Sequence, residues 1–518
     1  MTELVYPISY LVSLSGLIGW FYVQENKRQS RMMSKLFLGG FFAYLLSLGM
    51  AEADLSFKLL VLFRDLVVLG LVSQFFGFFR KNKVLFFGML FALYGLIGAK
   101  GMAILQSTFP QKLNTNTDEK DTSATQLDSS GEFLVEIRSG NSIDDIQGLL
   151  ASYNITSRRA FFPEQPALTD LDDFYILNIP NNEISNLNQI EQQLYQTDVV
   201  EWVEGNEVIS IAPIETKLPN PIERRFGIND PGVEQLWSFD AMRVDEFYQA
   251  VNHGKIAPQQ KATIAILDTG VDARHEDLAD NYKSIRTKYD RDIQGHGTHC
   301  AGIAGAVSNN KIGIASLSQA NEFVQITSIP VLNNFGMGTQ KRIIDGILEA
   351  ADNQVEVISM SLGGRAHPSK QRAYTEAVKY ANQIGAIVVV AAGNSNANAK
   401  DFSPANVPGV ITVSAIDEQL NRATFSNSVI DIPMGVAAPG VNIYSTFPKN
   451  GYKTLNGTSM ATPYVSGLVG VLKSLNPALT TRDVFQILDE SGIPTNDTRE
   501  TGKLIQPAVA IQLAQEQI

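Results

Sequence analysis

With only one cysteine, Cys300, in 518 residues, this chain can form no disulfide within itself and can build neither a disulfide scaffold nor a multi-cysteine structural zinc site. Its stability must come from core packing and bound ions. Runs of Lys and Arg are missing from its larger part. Residues 1–113 hold 11 Lys and Arg against 5 Asp and Glu, which leaves 30 against 48 of the chain totals of 41 and 53. The first part is therefore net +6 and the rest net −18. An acidic portion without basic clusters offers no surface on which to displace the counterions of a phosphate backbone, so nucleic acid is excluded as a partner. No basic residue precedes the first apolar run and further runs follow it, which disfavours a cleaved signal peptide. The length exceeds one ordinary core and implies two to four folding units.

Apolar runs at 5–23, 36–51, 57–79 and 84–105 have about the length of bilayer-crossing helices. The second is short and carries Gly39, Gly40 and Gly49, so a re-entrant segment is its alternative. Lys27, Arg28, Arg31 and Lys35 follow the first run, and Arg80, Lys81 and Lys83 the third. Both connections should stay in the cytoplasm, which puts the amino terminus and everything after Leu113 on the extracytoplasmic side. Arg64 and Asp65 in the third run, and Lys100 in the fourth, fit pairing or snorkelling near the interface; a pathway or sensor is the alternative.

Residues 114–131, NTNTDEKDTSATQLDSSG, lack aromatics and cannot bury enough apolar area to offset ordering, so they read as a flexible linker. The alternation in FLVEIR predicts a strand over 133–138, and SIDDIQGLL predicts a helix with Asp145 in capping-box position. A strand over 173–179, a helix over 184–195 and a last strand over 199–211 complete a small α+β sandwich.

Four later motifs carry chemistry. In TIAILDTG an apolar strand runs directly into Asp268, and ligand sites of α/β sheets gather at such carboxyl ends. In DIQGHGTHCAGIAGAV, Gly295 and Gly297 flank His296 at the start of a small-residue helix, where the glycines are expected to clear room for a substrate backbone. His299 reads as structural, bonding within the helix start, and Cys300 as core. In NGTSMATP, Ser459 opens a long apolar helix whose free N–H groups can receive an oxyanion. In IVVVAAGN, Asn394 ends a strand and offers an amide as a second donor, or is simply a turn residue.

Together DTG, GHGTHCAG, AAGN and NGTSMATP resemble the signature motifs of the subtilisin-like serine peptidases, in the family's chain order Asp, His, Ser. The resemblance covers 229–518, starting at NDPGVEQLW. It implies an α/β catalytic domain with a parallel sheet and helices on both faces. Ser459 would act as nucleophile, His296 as general base and acid, Asp268 as orienting acid, and Asn394 with the Ser459 N–H as oxyanion hole. Ser361, Leu362 and Gly363 would line one wall of the substrate pocket and Ala391, Ala392 and Gly393 the other. Phe402 would close its floor, and a large apolar side chain before the cut is the favoured substrate. Asp277, Asn310 and Asp230 resemble a structural calcium site, with a solvated loop as the alternative; the chemistry itself needs no cofactor.

The small sandwich with its VEWVEGNEVISI ending resembles the ferredoxin-like inhibitory propeptide of that family; a spacer domain is its alternative. The expected organisation is a four-helix transmembrane domain (1–113), a linker (114–131), a propeptide-like domain (132–212), a processing linker (213–228) and a catalytic domain (229–518). The expected protein is a membrane-anchored serine endopeptidase that acts on peptides and proteins and autoprocesses between Ile211 and Asn229. Its other partners would be its own prodomain and the lipid bilayer. Two alternatives stay open: a non-catalytic scaffold with this fold, and a membrane sensor regulated by the peptidase.

Overall fold

The computed structural model describes residues 2–23, 27–50, 62, 133–211, 214–215, 226–254, 256–318, 321–365 and 371–516. The chain divides into two compact units, Met1–Thr122 and Ser123–Ile518.

In the first unit α1 (Thr2–Tyr22) packs on α2 (Lys27–Met50). The approach is close because glycines stand at the crossing: a Cβ on Gly16 would lie 2.4 Å from the Phe37 backbone nitrogen, and one on Gly40 would lie 2.6 Å from that of Ser13. Helix α2 begins at Lys27, so the basic residues expected in a connection occupy its first turns instead. Among the described residues no helix is long and apolar enough to cross a membrane. The third and fourth apolar runs, apart from Leu62, lie outside the described residues together with Arg64, Asp65, Lys100 and the linker.

The second unit opens with a four-stranded antiparallel sheet, in which β1 (Phe133–Ile137), β2 (Thr156–Arg159), β3 (Phe174–Asn178) and β4 (Val200–Gly205) take the order β2-β3-β1-β4. The expected capping box is present: the Ser142 N–H donates to Asp145 Oδ2 at 2.8 Å. Val135, Leu177 and Val203 face a core shared with Leu150 of α3 (Gln147–Ser152) and with Ile190 and Leu194 of α4 (Leu187–Tyr195). The opposite face is not solvated, which is why all five residues of β1 are buried. The strand expected over 199–211 breaks at Gly205. Its second half, β5 (Val208–Ser210), leaves the small sheet, and a short β6 (Ile214–Glu215) follows.

A seven-stranded sheet forms the larger part, in the order β18-β15-β14-β12-β10-β7-β8, with every pairing parallel. In chain order its elements, with the helices and short strands around it, are β7 (Ala262–Asp268), α5 (His296–Gly305), β8 (Val324–Pro330), β9 (Met337–Thr339), α6 (Gln340–Asp352), β10 (Val357–Met360), β11 (Gly364–Arg365), α7 (Arg372–Ile384) and β12 (Ile387–Ala391). Then come β13 (Phe402–Ser403), β14 (Val410–Ile416), β15 (Gly435–Pro439), β16 (Ile443–Phe447), β17 (Gly451–Asn456), α8 (Thr458–Leu475) and β18 (Lys503–Leu504). Strand periodicity places Ile264 and Ile266 in the core with α5 and α8, and Ala265 and Leu267 in the core with α6 and α7. Helices thus cover both faces, and apolar runs such as TIAIL and IVVVA need no polar alternation.

Candidate active site

Strand β7 delivers Asp268 to its carboxyl end with no exposed surface, and His296 begins α5 beside it. His296 Nδ1 lies 2.8 Å from both Asp268 carboxylate oxygens. Burial lowers the pKa of this imidazole, but the Asp268 charge overcomes it and holds the ring well above the usual histidine value. Both flanking glycines are required, for a reason other than the expected one. A Cβ on Gly297 would lie 2.1 Å from the Gly270 carbonyl oxygen, and one on Gly295, at φ +101°, would enter the Phe447 ring at 2.2 Å. The cleared space holds protein and not a substrate backbone. His299 is also corrected: its Nε2 bonds the Lys453 carbonyl on β17 at 3.0 Å, outside the helix start, and burial pushes its pKa down to about 3.

Ser459, on the first turn of α8, is 6% exposed. Its hydroxyl donates to the Ser361 carbonyl at 3.1 Å, while His296 Nε2 is buried without a hydrogen-bond partner among the described residues. Ser361 Oγ donates to the Ser459 carbonyl at 2.8 Å and the Cys300 thiol to the same oxygen at 3.5 Å, so Cys300, fully buried, braces the backbone beneath the serine. Asn394 Oδ1 accepts from both the N–H and the hydroxyl of Thr458, each at 2.9 Å, which turns its Nδ2 away from them. One point in space, where a Cβ on Gly457 would stand, is 3.3 Å from Asn394 Nδ2 and 3.5 Å from the Ser459 N–H nitrogen. The two amides converge as an oxyanion site requires.

An aspartate-oriented histidine, a serine at a helix start and two converging amides, at strand ends of a parallel sheet, are the parts of an acyl-transfer centre. Residues 259–502 match the subtilase family, Peptidase S8. Thermitase of Thermoactinomyces vulgaris is 44% identical over 233 residues, 44% of this chain and 80% of that protein. Subtilisin DY of Bacillus licheniformis is 39% identical over 247 residues, 46% and 86% of the two chains. A thermostable alkaline protease of Halalkalibacterium halodurans is 36% identical over 348 residues, 64% and 90%. The chain belongs to the subtilase family. As a subtilase it is a serine endopeptidase whose chemistry needs no cofactor.

The residues expected to line the substrate pocket lie on adjacent strand ends. Ser361, Leu362 and Gly363 continue β10, Ala391 ends β12, and Ala392 and Gly393 follow it. A Cβ on Gly393 would touch the Phe402 ring at 3.5 Å, which places Phe402 against this wall. Sequence reasoning missed the strand pairing that follows the small sheet. β5 pairs antiparallel with β9 through Val208↔Thr339, Ile209↔Gly338 and Ser210↔Met337, and the Ile211 N–H continues the ladder to the Gly336 carbonyl at 3.0 Å. β6 then pairs with β17, Ile214 opposite Asn456.

Glu204 was also missed. It is 1% exposed and accepts from the Arg372 and Ala373 N–H groups at the start of α7, from Gln340 Nε2 and from Trp202 Nε1. Burial still pushes its pKa up to about 7. Arg372 also reaches Glu136 at 2.7 Å. Beside these contacts Leu134, Phe174 and Ile176 of the small sheet, with Phe161 just beyond β2, share a core with Ile343, Ile347 and Ala377 of α6 and α7. The only sequence signal for this was an acidic side chain before Gly205, which is too common to single out.

The three residues expected to bind calcium come together. Asn310 donates its N–H to Asp230 Oδ1 at 2.9 Å and its amide to Asp277 Oδ1 at 2.9 Å. Asp277 is fully buried and Asp230 is 3% exposed. Burial pushes Asp277 up to about 7, with the Asp230 charge raising it further, and burial also raises Asp230. Gly313, at φ +50°, has no room for a Cβ, which would lie 2.2 Å from Asp277 Oδ2. The groups against these carboxylates are N–H donors, from the Asn309, Asn310 and Ile314 backbone and the Asn310 amide; the two buried carboxylates are themselves hard oxygen ligands whose charge a divalent cation would offset.

Proposed function

We propose that this subtilase is a membrane-anchored, extracytoplasmic zymogen whose small amino-terminal sandwich is an inhibitory prodomain that the enzyme itself cuts free. The observation that supports this reading is the pairing of the chain after the sandwich: β5 and Ile211 pair with β9 and the Gly336 carbonyl, and Ile214 pairs opposite Asn456, three residues before Ser459, which is backbone pairing of the kind an extended substrate makes. Glu204 and the apolar contacts with α6 and α7 hold the sandwich in place.

In catalysis the Ser459 hydroxyl leaves the Ser361 carbonyl by rotation about χ1 and passes its proton to Nε2 of His296. The oxygen attacks the substrate carbonyl. Asp268 holds the imidazole tautomer and balances its charge, and Asn394 with the Ser459 N–H takes the developing oxyanion. His296 returns the proton to the leaving amine, and water then releases the acyl-enzyme by the same route. The small apolar walls at Ser361–Gly363 and Ala391–Gly393 favour a large apolar side chain before the cut. Asp277, Asn310 and Asp230 would hold a structural calcium ion remote from the chemistry.

The four apolar runs and the basic residues at 27–35 and 80–83 support an anchor with the peptidase outside the cytoplasm. Terminal mass spectrometry on wild type and Ser459→Ala, both expressed as the full chain, tests the reading. The wild type should yield a new amino terminus between Ile211 and Asn229 that the variant lacks, and the uncut variant should stay with the membrane fraction. Identical intact chains in both would reject autoprocessing.

A further inference from the structure

We propose that Asp292 is a positioning residue for catalysis, fixing the aim of His296 by gathering the backbone on both sides of it. This rests on the role of His296 as general base. Asp292 is 8% exposed, and five donors converge on its two oxygens. Oδ1 accepts from the Gln294 N–H (3.0 Å), the Gly295 N–H (2.9 Å) and the Thr269 hydroxyl (3.1 Å). Oδ2 accepts from the Thr298 N–H (3.0 Å) and hydroxyl (2.8 Å). Burial raises the Asp292 pKa, and the five donors oppose this by favouring the charged form.

The remaining N–H groups of the turn complete the arrangement. The His296 N–H goes to Gln294 Oε1 at 2.8 Å, and the Gly297 N–H goes to the Thr269 hydroxyl at 3.0 Å, the same hydroxyl that donates to Asp292. Every backbone N–H from Gln294 to Thr298 is therefore tied to Asp292 directly or through one side chain. Gly295, the residue before α5, has no side chain with which to cap the helix, and Asp292 takes over that task from outside it. Thr269 links the network to the triad, because its own N–H donates to Asp268 Oδ1 at 2.7 Å. Both partners of the Nδ1 contact, Asp268 and His296, thus have their backbone neighbours fastened to one carboxylate.

The Asp292 carboxylate, bonded to the backbone on both sides of His296, adds its negative charge to that of Asp268 on β7, the charge that raises the ring most. The other titratable groups facing the ring are Cys300 and His299 on α5, with Lys453 of β17 next to His299. Removing the Asp292 charge leaves those in place and makes the imidazolium harder to form.

Peptide hydrolysis measured across pH, on enzyme matured from the full chain, tests the assignment. Asp292→Asn keeps the shape but presents an amide group to two or more of the donors. It is expected to lower kcat on the order of 100-fold through misalignment, to leave KM unchanged, and to move the acid limb of kcat/KM to lower pH. Thr298→Val removes the hydroxyl tie to Asp292, along with the bond that hydroxyl accepts from the Asp272 N–H, and keeps the charge, so a smaller loss of kcat with the acid limb unmoved is expected; this variant decides the matter if Asp292→Asn does not fold. Wild-type kcat and acid limb in folded Asp292→Asn, a loss confined to KM, or unchanged kcat in Thr298→Val would overturn the proposal. A wild-type enzyme that hydrolyses peptides equally well as His296→Ala would defeat the underlying role of His296, a result distinct from these.

Discussion

Asp277 and Asp230 put two carboxylates under the surface of an acidic protein, joined only through Asn310 and backbone N–H groups. Burial raises both pKa values, Asp277 to about 7, so without a cation the folded state takes up protons as pH falls. Their contribution to stability is then fullest below about 3.8 and is lost as pH rises through about 7. A bound calcium ion reverses this by holding both groups ionised. Excess chelator should therefore lower the melting temperature, more at pH 8 than at pH 5. At a hundredfold excess of ion over Kd the bound state gains about 2.7 kcal/mol, which corresponds to several degrees for a domain of this size. Calorimetry showing no change at either pH would remove the ion from the account.

Single residues of the triad were legible because each sits where a strand ends or a helix begins beside a glycine. Their supports were not. Asp292, Thr269 and Gln294 act through backbone N–H groups that become available only once the turn has its shape, and no residue pattern announces that. The glycines around His296 were recognised as spaces, but the sequence has no means of stating that Phe447 and Gly270 fill them.

Among the elements, the long apolar strands and the helices after them followed from periodicity, while the short and polar ones did not. β2, with sequence TSRR, is an exposed edge strand and lacks any apolar alternation. The break between β4 and β5 decides how the small sheet meets the enzyme, and it depends on Glu204 finding the N-terminus of α7 in a part of the chain 168 residues away. Glu204 and Glu136 both rise to about 7 on burial from 4.5, so by linkage the docked sandwich is held most firmly below about pH 4.5 and loosens as pH rises through about 7. In a Ser459→Ala full chain, calorimetric melting of the sandwich should shift downward over that interval. Glu204→Gln should reduce the shift, leaving the part due to Glu136. Glu204→Ala, which strands buried donors, should cost about 1–3 kcal/mol at any pH. An undiminished pH shift in Glu204→Gln would assign the dependence elsewhere.

At the scale of the whole molecule, the division between a basic, apolar first part and an acidic remainder was plain in composition, and the chain does separate into two compact units, Met1–Thr122 and Ser123–Ile518. Apolar length alone did not define the helices of the first unit: α2 takes in the basic residues of its connection, and the later runs lie outside the described residues. The account as a whole depends on a serine that changes partner, from the Ser361 carbonyl it bonds here to the Nε2 of His296, which has no partner among the described residues. A fluorophosphonate probe followed by peptide mapping measures that competence directly. Matured enzyme should be modified at Ser459 and at no other serine, and His296→Ala should abolish the labelling. A folded, matured protein left unmodified at Ser459 would contradict the account and make this chain a scaffold with the fold of an enzyme.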